Sequence, residues 1–202
     1  MIRLSDYIKR YDQTFNALGG KEPWYAVKNI QQIILDKIQT LDSDYTISND
    51  TAIHKTATVD SHATLKGPII ISAHCFIGPH AYFRGGIFLD EYVSIGPGCE
   101  VKSSLIFSYS AFGHFNFVGD SLVGSHVNME AGAVVANHYN ERKDKSIFAF
   151  LNGERIRTGL EKFGALIADD CKIGANAVLS PGTILEPQTI VNRLQLIDQS
   201  RD

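Results

Sequence analysis

From Ile53 the chain can be written in sixes: IHKTAT, VDSHAT, LKGPII, ISAHCF, IGPHAY, FRGGIF, LDEYVS, IGPGCE and VKSSLI. Every block opens on an apolar residue: Ile53, Val59, Leu65, Ile71, Ile77, Phe83, Leu89, Ile95 and Val101. In a chain that is 44% apolar, nine hits in nine arise by chance with a probability of roughly 0.0006. The fifth position repeats independently, as Ala57, Ala63, Ile69, Cys75, Ala81, Ile87, Val93, Cys99 and Leu105. A period of six is neither the 3.6 of a helix nor the 2 of a strand. It fits a solenoid in which each block makes one short flat strand and one corner. Three blocks close a triangular coil, with block-initial side chains stacked inward and coils about 4.8 Å apart.

The rhythm slips by one residue and resumes at Ile106, Phe112 and Val118, then slips again to Val123, Met129 and Val135. After a charged excursion it returns at Ile167, Ile173, Leu179 and Leu185. The expected architecture is an all-β solenoid of about six coils at 18 residues each. Residues 1–50 precede it as a helical cap or linker, because Ile30, Ile33, Ile34, Ile38 and Leu41 carry helical spacing after Pro23. Residues 51–191 form the solenoid, with an inserted loop at 138–163 and a short tail at 192–202. Within the loop, LNGERI predicts a small hairpin around Asn152-Gly153.

Composition narrows the function classes. The formal net charge is −3 at pH 7, which argues against nucleic acid as a partner. No apolar run approaches the ~18 residues that would span a bilayer, so no membrane association is expected. Met1 to Arg10 lacks the apolar core of a signal peptide. The three cysteines, widely spaced and odd in number, suit reduced thiols better than a disulfide framework. Cys75, Cys99 and Cys171 all fall at the fifth block position, as small packing residues would. A cytoplasmic globular protein is expected.

IGPGCE, VGSHVN and IGANAV resemble units of the hexapeptide-repeat, left-handed parallel β-helix acyltransferases. The resemblance sharpens over about 78–190. FRGG, CEVKSSLI, GHFNFVGDSLVGSHVNMEAGAVVANH and GERIRTGLEKFGALIADDCKIGANAVLSPG follow in order. They match the acetyltransferase half of the bifunctional enzyme that makes UDP-N-acetylglucosamine and its archaeal sugar-1-phosphate nucleotidylyltransferase/acetyltransferase relatives. Left-handed winding is implied by that likeness alone, against the usual right-handed crossover. The nucleotidyltransferase half is not matched, since no Gly-rich phosphate loop precedes the repeat and 52 residues are too few for a Rossmann-like domain. A separate nucleotidyltransferase is therefore a conceivable partner.

The resemblance implies a CoA-dependent acyltransferase that N-acetylates an amino-sugar phosphate or a nucleotide sugar, with acetyl-CoA as donor. His114 takes the position of the general base, a role that histidine as a residue type often fills. Arg84 and Lys102 match the cations that grip the sugar-phosphate, and their 18-residue separation places them on adjacent coils of one face. Asn116, Phe117, Asn128 and Lys143 complete the implied substrate set, with His114 and Asn116 expected to face outward. Asn137, His138, Gly174 and Ala175 are implied along the coenzyme groove, and no metal ligand is assigned. Phe117 stands where the bacterial relatives carry a tyrosine, and His138 replaces a tyrosine or leucine.

The likeness also implies a homotrimer whose sites lie between coils of neighbouring subunits, with the 138–163 loop as a lid or coenzyme contact. Two other readings stay open. One is a non-catalytic trimeric scaffold that binds sugar nucleotides or serves as a subunit of a separate nucleotidyltransferase. The other is a zinc hydratase of the γ-carbonic anhydrase type, for which His74 and His80, six apart, are the nearest candidates.

Overall fold

The computed structural model describes residues 2–16, 20–151 and 153–200. Its body is a parallel β-solenoid with three flat faces. Block-initial residues form one inward column per face. Ile53, Ile71, Leu89, Ile106, Val123, Ile167 and Leu185 line the first. Val59, Ile77, Ile95, Phe112, Met129, Ile173 and Val191 line the second. Leu65, Phe83, Val101, Val118, Val135, Leu179 and Ile197 line the third.

The second face is a seven-stranded sheet, so the coils number seven rather than about six. Two features account for the difference. The two slips shorten the coils between Val101 and Val135 to 17 residues. The segment expected as a tail carries a further strand, Leu196–Ile197, parallel to Val178–Leu179. Inward residues of the middle coils are almost wholly buried, whereas Ile53, Val59 and Leu65 in the first coil are only half-buried.

That half-burial corrects the expectation of a helical cap on the first coil. An antiparallel strand, Tyr45–Ser48, covers the edge of Thr51–His54 instead. The N-terminal segment forms short helices α1 (Leu4–Tyr7), α2 (Tyr11–Thr14), α3 (Pro23–Lys28) and α4 (Ile30–Ile38) along the side of the prism. Pro23 sits in the first turn of α3, where its missing N–H costs nothing. At Asn29 the backbone leaves the helical region, φ −106° and ψ 11°, and separates α3 from α4.

The first face is what draws these helices in. Its outward residues, Ala52, Ile70, Phe88, Leu105, Leu122, Leu166 and Ile184, are apolar and at most 4% exposed. Large side chains of this kind stabilise by about 1.5–3 kcal/mol each when fully buried. Phe15 packs edge-on against Phe88 and Phe107, with ring centroids 5.1 and 6.2 Å away. The amide of Lys9 donates to Asp169 at 3.0 Å, Tyr7 Oη donates to Glu186 at 2.9 Å and Arg10 Nε to Asp90 at 2.9 Å. At the corner where the third face turns into the first, Gly86 has φ +97°, and a Cβ there would meet Ile30 and the backbone of Gln31. Only glycine lets α4 lie this close.

The excursion leaves this same corner. Its strands Phe148–Leu151 and Glu154–Arg157 pair antiparallel. Asn152, expected in the intervening turn, lies outside the described residues. The chain then rejoins the stack through Gly164, whose amide donates to the Asp120 carbonyl at 2.9 Å. Among the described residues no helix is long and apolar enough to cross a membrane.

Candidate functional site

The residues singled out from sequence fall into two groups on either side of one corner. The third face carries Arg84, Lys102, Phe117 and Asn137, with His138 beside them. Arg84 and Lys102 are register partners on adjacent strands, Tyr82–Leu89 and Glu100–Ile106. Phe117, half-buried in Phe117–Gly119, lies over Gly119 beside the Asn137 amide. His114, Asn128, Gly174 and Ala175 belong to the second face or to the corner between the second and third faces. Lys143 is exposed in the excursion.

Both cations of the third face already have carboxylate partners. Arg84 Nε and Nη2 donate to Glu100 Oε1 at 2.9 and 2.6 Å, with the arginine side chain 40% exposed. Lys102 Nζ donates to both oxygens of Asp120, at 2.6 and 2.5 Å, and its side chain is 15% exposed. Asp120 also accepts a very short bond from Asn137 Nδ2, while Asn137 Oδ1 lies 3.1 Å from His138 Nδ1. Asp120 is thus the hub of a lysine–carboxylate–amide–imidazole chain. In the shortened coil the register partner of Lys102 is Gly119, and Asp120 follows it by one residue at the corner.

A cleft of about 660 Å³ opens beside this cluster, between α3–α4 and the corner at Gly85, Ser103 and Asp120. Leu160, Glu161 and Lys162, where the excursion returns, close its far side. None of these lining positions was singled out from sequence.

His114 lies in the turn between Ala111–Phe112 and Phe117–Gly119, and its side chain is exposed. Its carbonyl accepts from Gly132 at 2.8 Å, which ties the turn to the next coil. Phe115, with φ +54° and 73% exposed, stands next to it. Asn116 does not face outward as expected. It is 2% exposed, its Oδ1 accepts from the amide of Ala133 at 2.9 Å, and it braces the corner from inside. Held this way, the side chain is not presented on the outer face.

On the second face, Asn128 borders a groove of about 460 Å³ with Glu130, Lys172, Gly174, Asn192 and Arg193. Glu130 receives a two-pronged bond from Arg193, at 2.7 and 2.8 Å, and one from the amide of Ala175 at 2.9 Å. Arg193, then the Ala175 amide, hold the Glu130 carboxyl far below its ordinary value, at about 2. The amide of Ala175, implied in coenzyme contact, is therefore engaged within the chain. Gly174 is pressed so close to Asn192–Arg193 that a Cβ would collide with their backbone.

The cysteines are buried, and burial pushes the thiols of Cys75 and Cys171 up to about 12 and about 11. They are packing groups, not nucleophiles at neutral pH. His74 stacks on Tyr92 at one corner while His80 lies near His62 at another. Among the described residues, no three His, Cys, Asp or Glu side chains are grouped to hold a metal ion.

No family model matches the chain. It is 34% identical over 100 residues to the bifunctional sugar-1-phosphate nucleotidylyltransferase/acetyltransferase of Sulfurisphaera tokodaii, covering 46% of this chain and 24% of that protein. It is 30% identical over 100 residues to the bifunctional protein GlmU of Methanococcus vannielii, covering 50% of this chain and 23% of that protein. The matched stretch thus spans about a quarter of the length of these relatives. A hexapeptide transferase family protein from Anaplasma phagocytophilum aligns over 72% of both chains at a TM-score of 0.41 and 16% identity. The chain resembles a stretch of these bifunctional proteins over about half of its own length.

Proposed function

We propose that the chain is a CoA-dependent acyltransferase that acetylates the amine of a sugar phosphate or nucleotide sugar. The observation that carries this reading is His114, exposed at a corner within GHFNFVGD, where the resemblance to the acyltransferases implies a base. The amine attacks the thioester carbonyl of acetyl-CoA, a C–N bond forms, and His114 accepts the amine proton. The C–S bond then breaks, and the departing thiolate takes up a proton to leave as free CoA thiol. Arg84, the more exposed cation, exchanges Glu100 for the substrate phosphate, since surface pairs of this kind are weakly held. Lys102 remains with Asp120 as a neutral pair, so Arg84 carries the charge that meets the phosphate.

In one subunit His114 and the Arg84–Lys102 pair stand a face apart. The homotrimer implied by the family resemblance, with sites between subunits, would offer each histidine the third-face cluster of a neighbouring copy. Phe117 supplies ring surface without the hydroxyl of its bacterial counterparts, which selects a sugar lacking one hydrogen bond at that point.

The test is thiol release from acetyl-CoA with glucosamine-1-phosphate and related amino sugars. His114→Ala should lower kcat by about 10²–10⁴ while the thermal transition stays in place. Unchanged turnover in that variant would sink the assignment. The Lys102–Asp120 pair, which leaves only one readily freed cation, favours a second reading as a sugar-nucleotide-binding scaffold. Saturable binding across the panel with no thiol release would select it.

A further inference from the structure

The base of the excursion carries a cavity none of whose lining residues has a role in the chemical step proposed above. It measures about 390 Å³ and is lined by Tyr139, Arg142, Phe148, Phe150, Arg155 and Ser200. Two guanidiniums lie flat on aromatic rings there. Arg142 covers Tyr139 with its carbon 3.3 Å from the ring centroid, and Arg155 covers Phe148 at 3.6 Å. Stacking of this kind holds the plane of a guanidinium while leaving its N–H edge and outer face free.

The charges are poorly compensated. Arg142 has a loose contact with Glu141 at 3.8 Å and donates to Ser200 Oγ at 3.2 Å, with Ser200 Oγ in turn donating to Asp198. Arg155 forms no ion pair among the described residues. Asp144 is held below its ordinary value first by its bonds to Ser146, then by Arg157 and Arg155 through space, without pairing to either cation. Lys145, another cation nearby, donates to the carbonyls of Tyr139 and Asn140 at 2.7 Å each. Two like charges facing one cavity repel unless an anion joins them. Phe150, half-buried, adds a ring without a stacking partner among the described residues.

We propose that this cavity binds a phosphorylated nucleoside, with the phosphate between Arg142 and Arg155 and the base stacked among Phe150 and the guanidinium faces. A simple anion would use the cations and leave the ring idle. An apolar ligand would leave two charges desolvated. A nucleotide satisfies both, and the cavity lies within the size range of small-molecule sites. The nucleotide could reach it as part of coenzyme A or as part of a nucleotide sugar. The proposal does not rest on acyl transfer, because it needs neither His114 nor Arg84.

Calorimetric titration of the full chain with ADP, UDP, coenzyme A and inorganic phosphate tests it. At least one nucleotide should saturate at one site per chain and bind more tightly than phosphate. Arg142→Gln and Arg155→Gln should each weaken it by about tenfold or more, through lost charge-assisted bonds. Arg142→Lys and Arg155→Lys keep the charge and lose the planar fork, so intermediate affinity is expected. If a glutamine variant loses the hairpin by circular dichroism, the lysine variants decide. Preference for coenzyme A over ADP assigns the acyl donor as the source, and preference for UDP assigns a nucleotide sugar. His114→Ala should leave this binding intact, which separates it from turnover. The proposal is overturned if no nucleotide outcompetes phosphate, or if the bound nucleotide ignores all four substitutions.

Discussion

The first and second faces have the same inward column of branched and aromatic side chains, yet they meet different surroundings. The outward column of the first face is apolar throughout and lies beneath the N-terminal helices. The outward column of the second face, Thr58, Phe76, Ser94, Ala111, Asn128, Lys172 and Ile190, is mixed and open to solvent or only half-buried. The six-residue rhythm therefore builds the prism, and a separate code on the outside decides what each side is used for. A strand apolar on both sides must be covered, while one apolar on a single side can face water.

The largest expected effect lies on the covered side. Phe15→Ala removes the ring wedged against Phe88 and Phe107, and large-to-small changes of this kind cost about 3–5 kcal/mol. Proteolysis within residues 1–42 should accelerate sharply while the β signal in far-UV circular dichroism persists. Loss of both signals together would show that helices and solenoid unfold as one unit, and the contrast between the faces would lose its energetic meaning.

A middle-sized effect is expected on the open face. Gly96 lies so close to the next coil that a Cβ would collide with the Gly113 carbonyl. Gly96→Ala should cost about 1–3 kcal/mol through forced backbone shifts and lower Tm by several degrees. An unchanged Tm would mean that the coils can spread there without cost.

The smallest effect belongs to the exposed Glu130–Arg193 pair. The Glu130 carboxyl is depressed to about 2 in the folded chain from an ordinary value of 4.5. Its contribution is therefore present above about pH 4.5 and disappears as pH falls toward 2. Glu130→Gln should lose a small increment at pH 7 and show a flatter decline between pH 5 and 2, measured by thermal melts. A decline as steep as the parent's would assign the acid sensitivity to other carboxylates.

What could be read in advance was whatever repeats. The three inward columns, the two one-residue slips and the stacking of Arg84 on Lys102 all follow from counting. The outward code was also present, in the apolar runs III at 69–71, IFL at 87–89, SLI at 104–106 and SLV at 121–123. Those runs recur on every third block, which marks the face that the helices cover. They went unused because a phase count records only inward residues.

Asn116 was misplaced for a related reason. At a corner the alternation of a strand ends, and a short amide turns inward to satisfy the Ala133 amide. The engagement of Lys102 by Asp120 depends on contact between coils, which spacing suggests and only geometry settles. Glu130 and Arg193, 63 residues apart, lie beyond any local pattern.

Every departure from the six-residue rhythm leaves the prism at one corner, where the third face turns into the first. The shortened turns at Ser103 and Asp120, the glycine seat of α4 at Gly86 and the excursion after Val135 all lie there. The other two corners keep their length through every coil. A chain arranged in this way can gain or lose residues at one edge without moving a single inward side chain. That edge is where inheritance can edit the molecule freely, whereas a one-residue insertion within one of the flat faces would displace the inward side chain of that strand.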